Sequence, residues 1–108
     1  MVESNLELDL MFSALSDSTR RGILELVAKT SLSIGEIATH FELTFGAISK
    51  HIKVLEKAKL ISKSRRGKEQ VVQVIPEALE TVRQQIERYE SIQKARFDAM
   101  ERLMQQDI

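Results

Sequence analysis

Only Glu42, Leu43 and Thr44 separate two stretches of helical hydrophobic spacing, and that gap constrains the fold more than any other feature of the chain. The first stretch runs from Ile34 to about Phe41 and gathers Ile34, Ile37, Ala38 and Phe41 on one face. Ser33 and Glu36 stand at the S-x-x-E spacing of a capping box, in which the serine hydroxyl and the glutamate carboxylate each take a free backbone N–H. Thr44 is a good N-cap for the second stretch, where Ile48, Ile52 and Leu55 recur at i, i+4 and i+7. Opposite them lie Gly46, Ser49, Lys50, Lys53 and Lys57, a ridge of small, hydroxyl and cationic side chains. A solvated face on an ordinary amphipathic helix would look the same. A short helix, a tight turn and a second helix with a cationic outer face together make a helix-turn-helix, whose second helix can enter a major groove.

The flanking sequence narrows the reading. Ile61–Arg65 and Glu69–Ile75 are β-compatible runs joined by Arg66, Gly67 and Lys68, so they predict a hairpin bent at glycine. Its tip carries Arg65, Arg66 and Lys68, with Lys63 just before, and a basic hairpin in this place is a wing that lies against nucleic-acid backbone. Upstream, residues 5 to 15 predict a short amphipathic helix through Leu8, Met11 and Leu15. A second runs from about Asp17 to Lys29, with Gly22 allowing close approach of a neighbour. Pro76 opens a last helix with no Gly or Pro after it, and Leu79, Val82, Ile86 and Tyr89 form a stripe that Phe97, Met100, Leu103 and Met104 continue. About thirty residues extend roughly 45 Å at 1.5 Å per residue, more than one small domain can cover. The stripe calls for a second copy of the chain, with the first helix contributing.

Charge supports the same partner. The chain has 16 basic and 16 acidic residues, but residues 1–17 carry −4, residues 18–75 carry +6 and residues 76–108 carry −2. An encounter with DNA depends on the local field, and the middle segment is basic. The absence of cysteine excludes disulfides, thiolate metal sites and thiol redox sensing. His40 and His51, eleven apart on different elements, offer no ligand spacing, so neither a metal nor any other cofactor is expected. There is no Gly-rich phosphate loop and no nucleophile with a base at hand, so an enzyme is not expected. No run of 18 apolar residues and no leader is found, which reads as a cytoplasmic protein with no membrane span.

With these segments assembled, the chain resembles the ArsR/SmtB family of winged-helix bacterial repressors over nearly its whole length. FSALSDSTRRGIL at Phe12–Leu24, IGEIATHFELT at Ile34–Thr44 and AISKHIKVLEKAKLI at Ala47–Ile61 carry the likeness. The ending RFDAMERLM resembles the metal-independent, autorepressor-like branch, with Phe97 at an aromatic position. The resemblance implies a mainly α fold with a small β-hairpin, a dimeric winged helix-turn-helix of five helices in a single domain over residues 1–108. It also implies a homodimer on an inverted-repeat operator that represses transcription, often of its own operon, and it names no effector.

Residues matching the family's DNA-reading segment are Ala47, Ser49, Lys50, His51 and Lys53, while Phe45 and Gly46 depart from it. The expected DNA contacts are therefore Thr44, Phe45, Ala47, Ser49, Lys50, His51 and Lys53 from the helix, and Lys63, Arg65, Arg66 and Lys68 from the wing. The expected dimer contacts are Leu8, Met11, Leu15, Ile86, Tyr89, Phe97, Met100, Leu103 and Met104, on helices over 5–15 and 76–105. The competing reading is a winged-helix module for protein–protein interaction that does not bind DNA.

Overall fold

Each of the first four helices begins on a side chain that accepts from its first turn, which is why the chain breaks where it does. In the computed structural model, which describes residues 5–106, Asn5 caps α1 (Leu6–Leu15) and Asp17 caps α2 (Ser18–Lys29). After β1 (Leu32–Ser33), Ser33 and Glu36 form the anticipated capping box of α3 (Ile34–Ala38), each bond 3.1 Å long. Thr44 Oγ1 accepts from the Ala47 N–H at 3.1 Å and starts α4 (Phe45–Lys57). The chain continues through β2 (Ile61–Arg66) and β3 (Glu69–Val74) into α5 (Pro76–Gln106).

Three differences from the sequence expectation have physical causes. The sheet has three antiparallel strands in the order β1-β3-β2, not a lone hairpin, because Leu32 and Ser33 pair with Val72 and Val71. The third helix is shorter than Ile34–Phe41. Beyond Ala38 the N–H groups of Thr39, His40 and Phe41 bond to the carbonyls three residues back, tightening the chain toward the turn. The hairpin bend is also tighter, with Arg66 paired to Glu69 across Gly67 and Lys68, and Gly67 takes a φ of +64°.

The core is built from every element. Ile48, Ile52 and Leu55 of α4 have no exposed surface, and Ile23, Ile37, Leu60 and Val72 close around them. Gly22 earns its place in α2, since a Cβ there would sit 3.2 Å from the Phe41 ring. Met11 corrects the expectation that it serves a dimer, for it is 1% exposed within its own chain's core. Leu15 packs partly on that same core, and Leu8 is half-buried.

α4 ends in a paired-carbonyl turn in which the Leu60 N–H reaches the Leu55 carbonyl at 3.1 Å and the Lys59 N–H the Glu56 carbonyl at 2.9 Å. That turn puts Lys59 at φ 60°, where it is alone among the described non-glycine residues. The left-handed region costs an L side chain about 1–2 kcal/mol, part of which glycine gives back through its freer unfolded chain. Lys59→Gly is therefore expected to stabilise the fold by roughly 1 kcal/mol. Urea unfolding of the two proteins checks this, and a midpoint that stays put or falls counts against it.

α5 leaves the domain. Its 31 residues bury only Ala78, with Leu79 and Val82 partly covered, and from Ile86 onward the apolar stripe is exposed. The radius of gyration of 19.2 Å exceeds the roughly 13 Å of a compact chain of this length, because the helix projects into solvent.

Candidate nucleic-acid interface

The start of α4 and the tip of the wing border one cleft. Phe45 at the start of α4 shares a cleft of about 310 Å³ with Lys68, Glu69 and Gln70 of the wing and with Ser33, Ile34 and Gly35 at the start of α3. Arg66 is close enough to Glu36 to act on it. The Ser33 backbone N–H, the Ser33 hydroxyl and then the Arg66 charge hold the Glu36 carboxyl below its ordinary range.

Exposure sorts the candidate contacts. Lys50, Lys53 and Lys57 on α4 and Arg65, Arg66 and Lys68 on the wing are all exposed, and none of them has an ion pair among the described residues. Ser49 is half-buried beside them, and Gly46 has no atom within 4 Å of where a Cβ would stand. Arg65 Nε donates to the Gly67 carbonyl at 3.3 Å, which ties the guanidinium to the wing tip. Thr44 is exposed with its hydroxyl engaged in the cap, and Ala47 is half-buried.

Two expected DNA contacts are placed elsewhere. His51 turns from the ridge toward α2, with Nδ1 3.8 Å from Asp17 Oδ2 and 3.4 Å from Arg20 Nη1. The family resemblance put it among the DNA-reading residues, but its place on the helix faces the α1–α2 junction. Lys63 pairs with Glu56 at 3.2 Å and its side chain is 20% exposed, so its charge is spent on joining the wing to α4.

Sequence reasoning gave no role to the residues that close the end of α1. Arg20 Nε donates to the Ala14 carbonyl at 2.7 Å and Nη2 to the Ser13 carbonyl at 3.2 Å, while Arg21 Nη1 reaches the Leu15 carbonyl at 2.8 Å. Two guanidiniums thus satisfy the free carbonyls at the end of α1. The signal was available: two arginines in the first turn of a helix that starts just after another has ended. The Arg20 N–H on the Asp17 carboxylate, with the Arg20 and His51 charges behind it, holds the Asp17 carboxyl below its ordinary range.

On the projecting half of α5, Tyr89, Phe97, Met100, Leu103 and Met104 are all more than half exposed, and Ile86 is 43% exposed. Ile92, which the sequence reading passed over, is 62% exposed and extends the stripe. Among the described residues, no other element covers this half of the helix.

A helix-turn-helix with a three-stranded basic wing and a long helix that leaves the core defines a winged-helix DNA-binding protein. Residues 17–63, from the α2 cap into β2, match the family described as bacterial regulatory protein, arsR family. The chain is 36% identical over 81 residues to the HTH-type transcriptional regulator Rv2034 of Mycobacterium tuberculosis, covering 75% of this chain and 76% of that protein. It is 42% identical over 57 residues to the transcriptional repressor SdpR of Bacillus subtilis, covering 53% of this chain and 63% of SdpR. In structure it resembles the homodimeric winged helix-turn-helix DNA-binding domain of Mb0332 from Mycobacterium bovis. The TM-score there is 0.65 at 20% identity, over 87% of this chain and 95% of that one. The protein belongs to the arsR family of bacterial regulatory proteins.

Proposed function

We propose that this protein is a sequence-specific, double-stranded DNA-binding transcriptional repressor that acts in the cytoplasm as a homodimer on an inverted-repeat operator. The observation that carries the reading is the set of six exposed cations with no ion pair among the described residues, three along the outer ridge of α4 and three on the wing. The small residue Gly46 permits close approach there, Ser49 and Lys50 reach base edges, and the wing cations hold phosphates. The exposed stripe of α5 supports the dimer, together with α1, so that residues 6–15 and 76–106 serve assembly while α4 and the wing serve DNA. SdpR's designation as a repressor and Mb0332's as a homodimer support the repressor and homodimer parts of this reading. Release by a metal–thiolate route would need cysteine, and the chain has none.

The test separates reading from holding. Lys50→Ala is expected to cost about 1–3 kcal/mol on the operator and much less on a scrambled duplex. Arg66→Ala is expected to weaken both duplexes and to lower the salt slope by about one unit. Titrations of both variants at two salt concentrations decide. An equal loss on both duplexes for Lys50→Ala would show that α4 only clamps phosphates, and a wild type that binds neither duplex would favour a module that meets another protein.

A further inference from the structure

Phe45 is the first residue of α4, and 58% of it lies open to solvent while Ile48, Ile52 and Leu55 of the same helix are fully buried. A lone exposed hydrophobic residue is ordinary. Its surroundings set this one apart. On the helix, Phe45 and Ser49 stand one turn apart along the edge of the cationic ridge, and Phe45 faces the wing across the cleft that includes Lys68. The neighbouring Gly46 has open space where a Cβ would stand, with no other element of the described residues within 4 Å of it. A surface that meets this ridge meets the ring as well.

An aromatic ring cannot choose among bases by donating or accepting hydrogen bonds. The apolar feature that base edges offer in the major groove is the thymine C5 methyl. We propose that Phe45 is a specificity-determining residue that packs against a thymine methyl in each half-site. This rests on the DNA-binding reading above and adds to it the base that is read and the chemistry that reads it. Lys50 and Ser49 supply hydrogen-bonding readout beside it, and Phe45 supplies a preference that depends on one methyl group.

Deoxyuridine provides the test, because it pairs as thymidine does, keeps the O4 acceptor and lacks only the methyl. A duplex is first selected from a random pool with the full-length wild-type chain, and its thymines are then replaced by deoxyuridine in symmetric pairs. At one pair the wild type is expected to lose about fourfold in affinity per half-site, or about fifteenfold for both, the effect of burying one methyl-sized group. Phe45→Ala is expected to bind the thymine and deoxyuridine duplexes alike at that pair, and Phe45→Leu to keep part of the discrimination. Circular dichroism and thermal melting that match the wild type show that both variants are folded. A wild type indifferent to every replacement, or an alanine variant that discriminates as the wild type does, overturns the assignment of Phe45 and leaves DNA binding intact. A wild type that selects no duplex and shows no salt-dependent binding overturns the DNA reading and this proposal with it.

Discussion

Phe97→Glu combined with Leu103→Glu is expected to turn the protein into a folded monomer and to lower operator affinity by roughly a hundredfold, because two half-sites are then no longer engaged by one particle. Both side chains are about two-thirds exposed in the protomer, so the domain loses no internal packing when they change. In a dimer the same positions would bring carboxylates into an apolar seam, where a charge without a partner is costly. Sedimentation or light scattering gives the mass, and circular dichroism verifies that the helices survive. A double variant that remains dimeric and binds normally would mean that α5 is not the dimer contact.

The second large effect concerns the domain itself. Ile52→Ala is expected to destabilise it by about 3 kcal/mol, the usual cost of removing a buried branched side chain and leaving a cavity. A domain of this size has of the order of 5–15 kcal/mol to lose, so the change reaches DNA binding through the folded fraction. Val54→Ala, two positions along the same helix at 41% exposure, should cost no more than about 0.5 kcal/mol. Chemical denaturation of the pair checks the contrast. Similar losses would place the core-facing side of α4 differently from the arrangement described.

What the sequence disclosed follows the range over which each feature is determined. The capping box at Ser33 and Glu36, the Thr44 cap and the buried stripe of α4 are settled within one or two helical turns, and each is found where its spacing put it. The glycine at 22 was legible as a close approach, though not as an approach to the Phe41 ring. β1 was not legible, since two residues are too few to show a period of two and are a strand only because β3 is there to pair with them. His51 and Lys63 were misplaced for a shared reason. Their partners Asp17 and Glu56 neutralise or orient them across a fold that local patterns do not describe. Met11 shows the limit of periodicity most clearly, because Leu8, Met11 and Leu15 share one stripe while only the folded core decides that Met11 is already covered. The opposite holds for α5, where the excess of apolar surface over available core was countable from its length alone.

Protection of DNA upstream of the protein's own gene, measured with purified full-length protein over a series of salt concentrations, tests the central claim most directly. The account predicts two symmetric protected half-sites about one helical turn apart, occupied by one dimer, with log affinity falling linearly against log salt concentration. Protection of a single unpaired half-site, or binding that salt does not weaken, would contradict it.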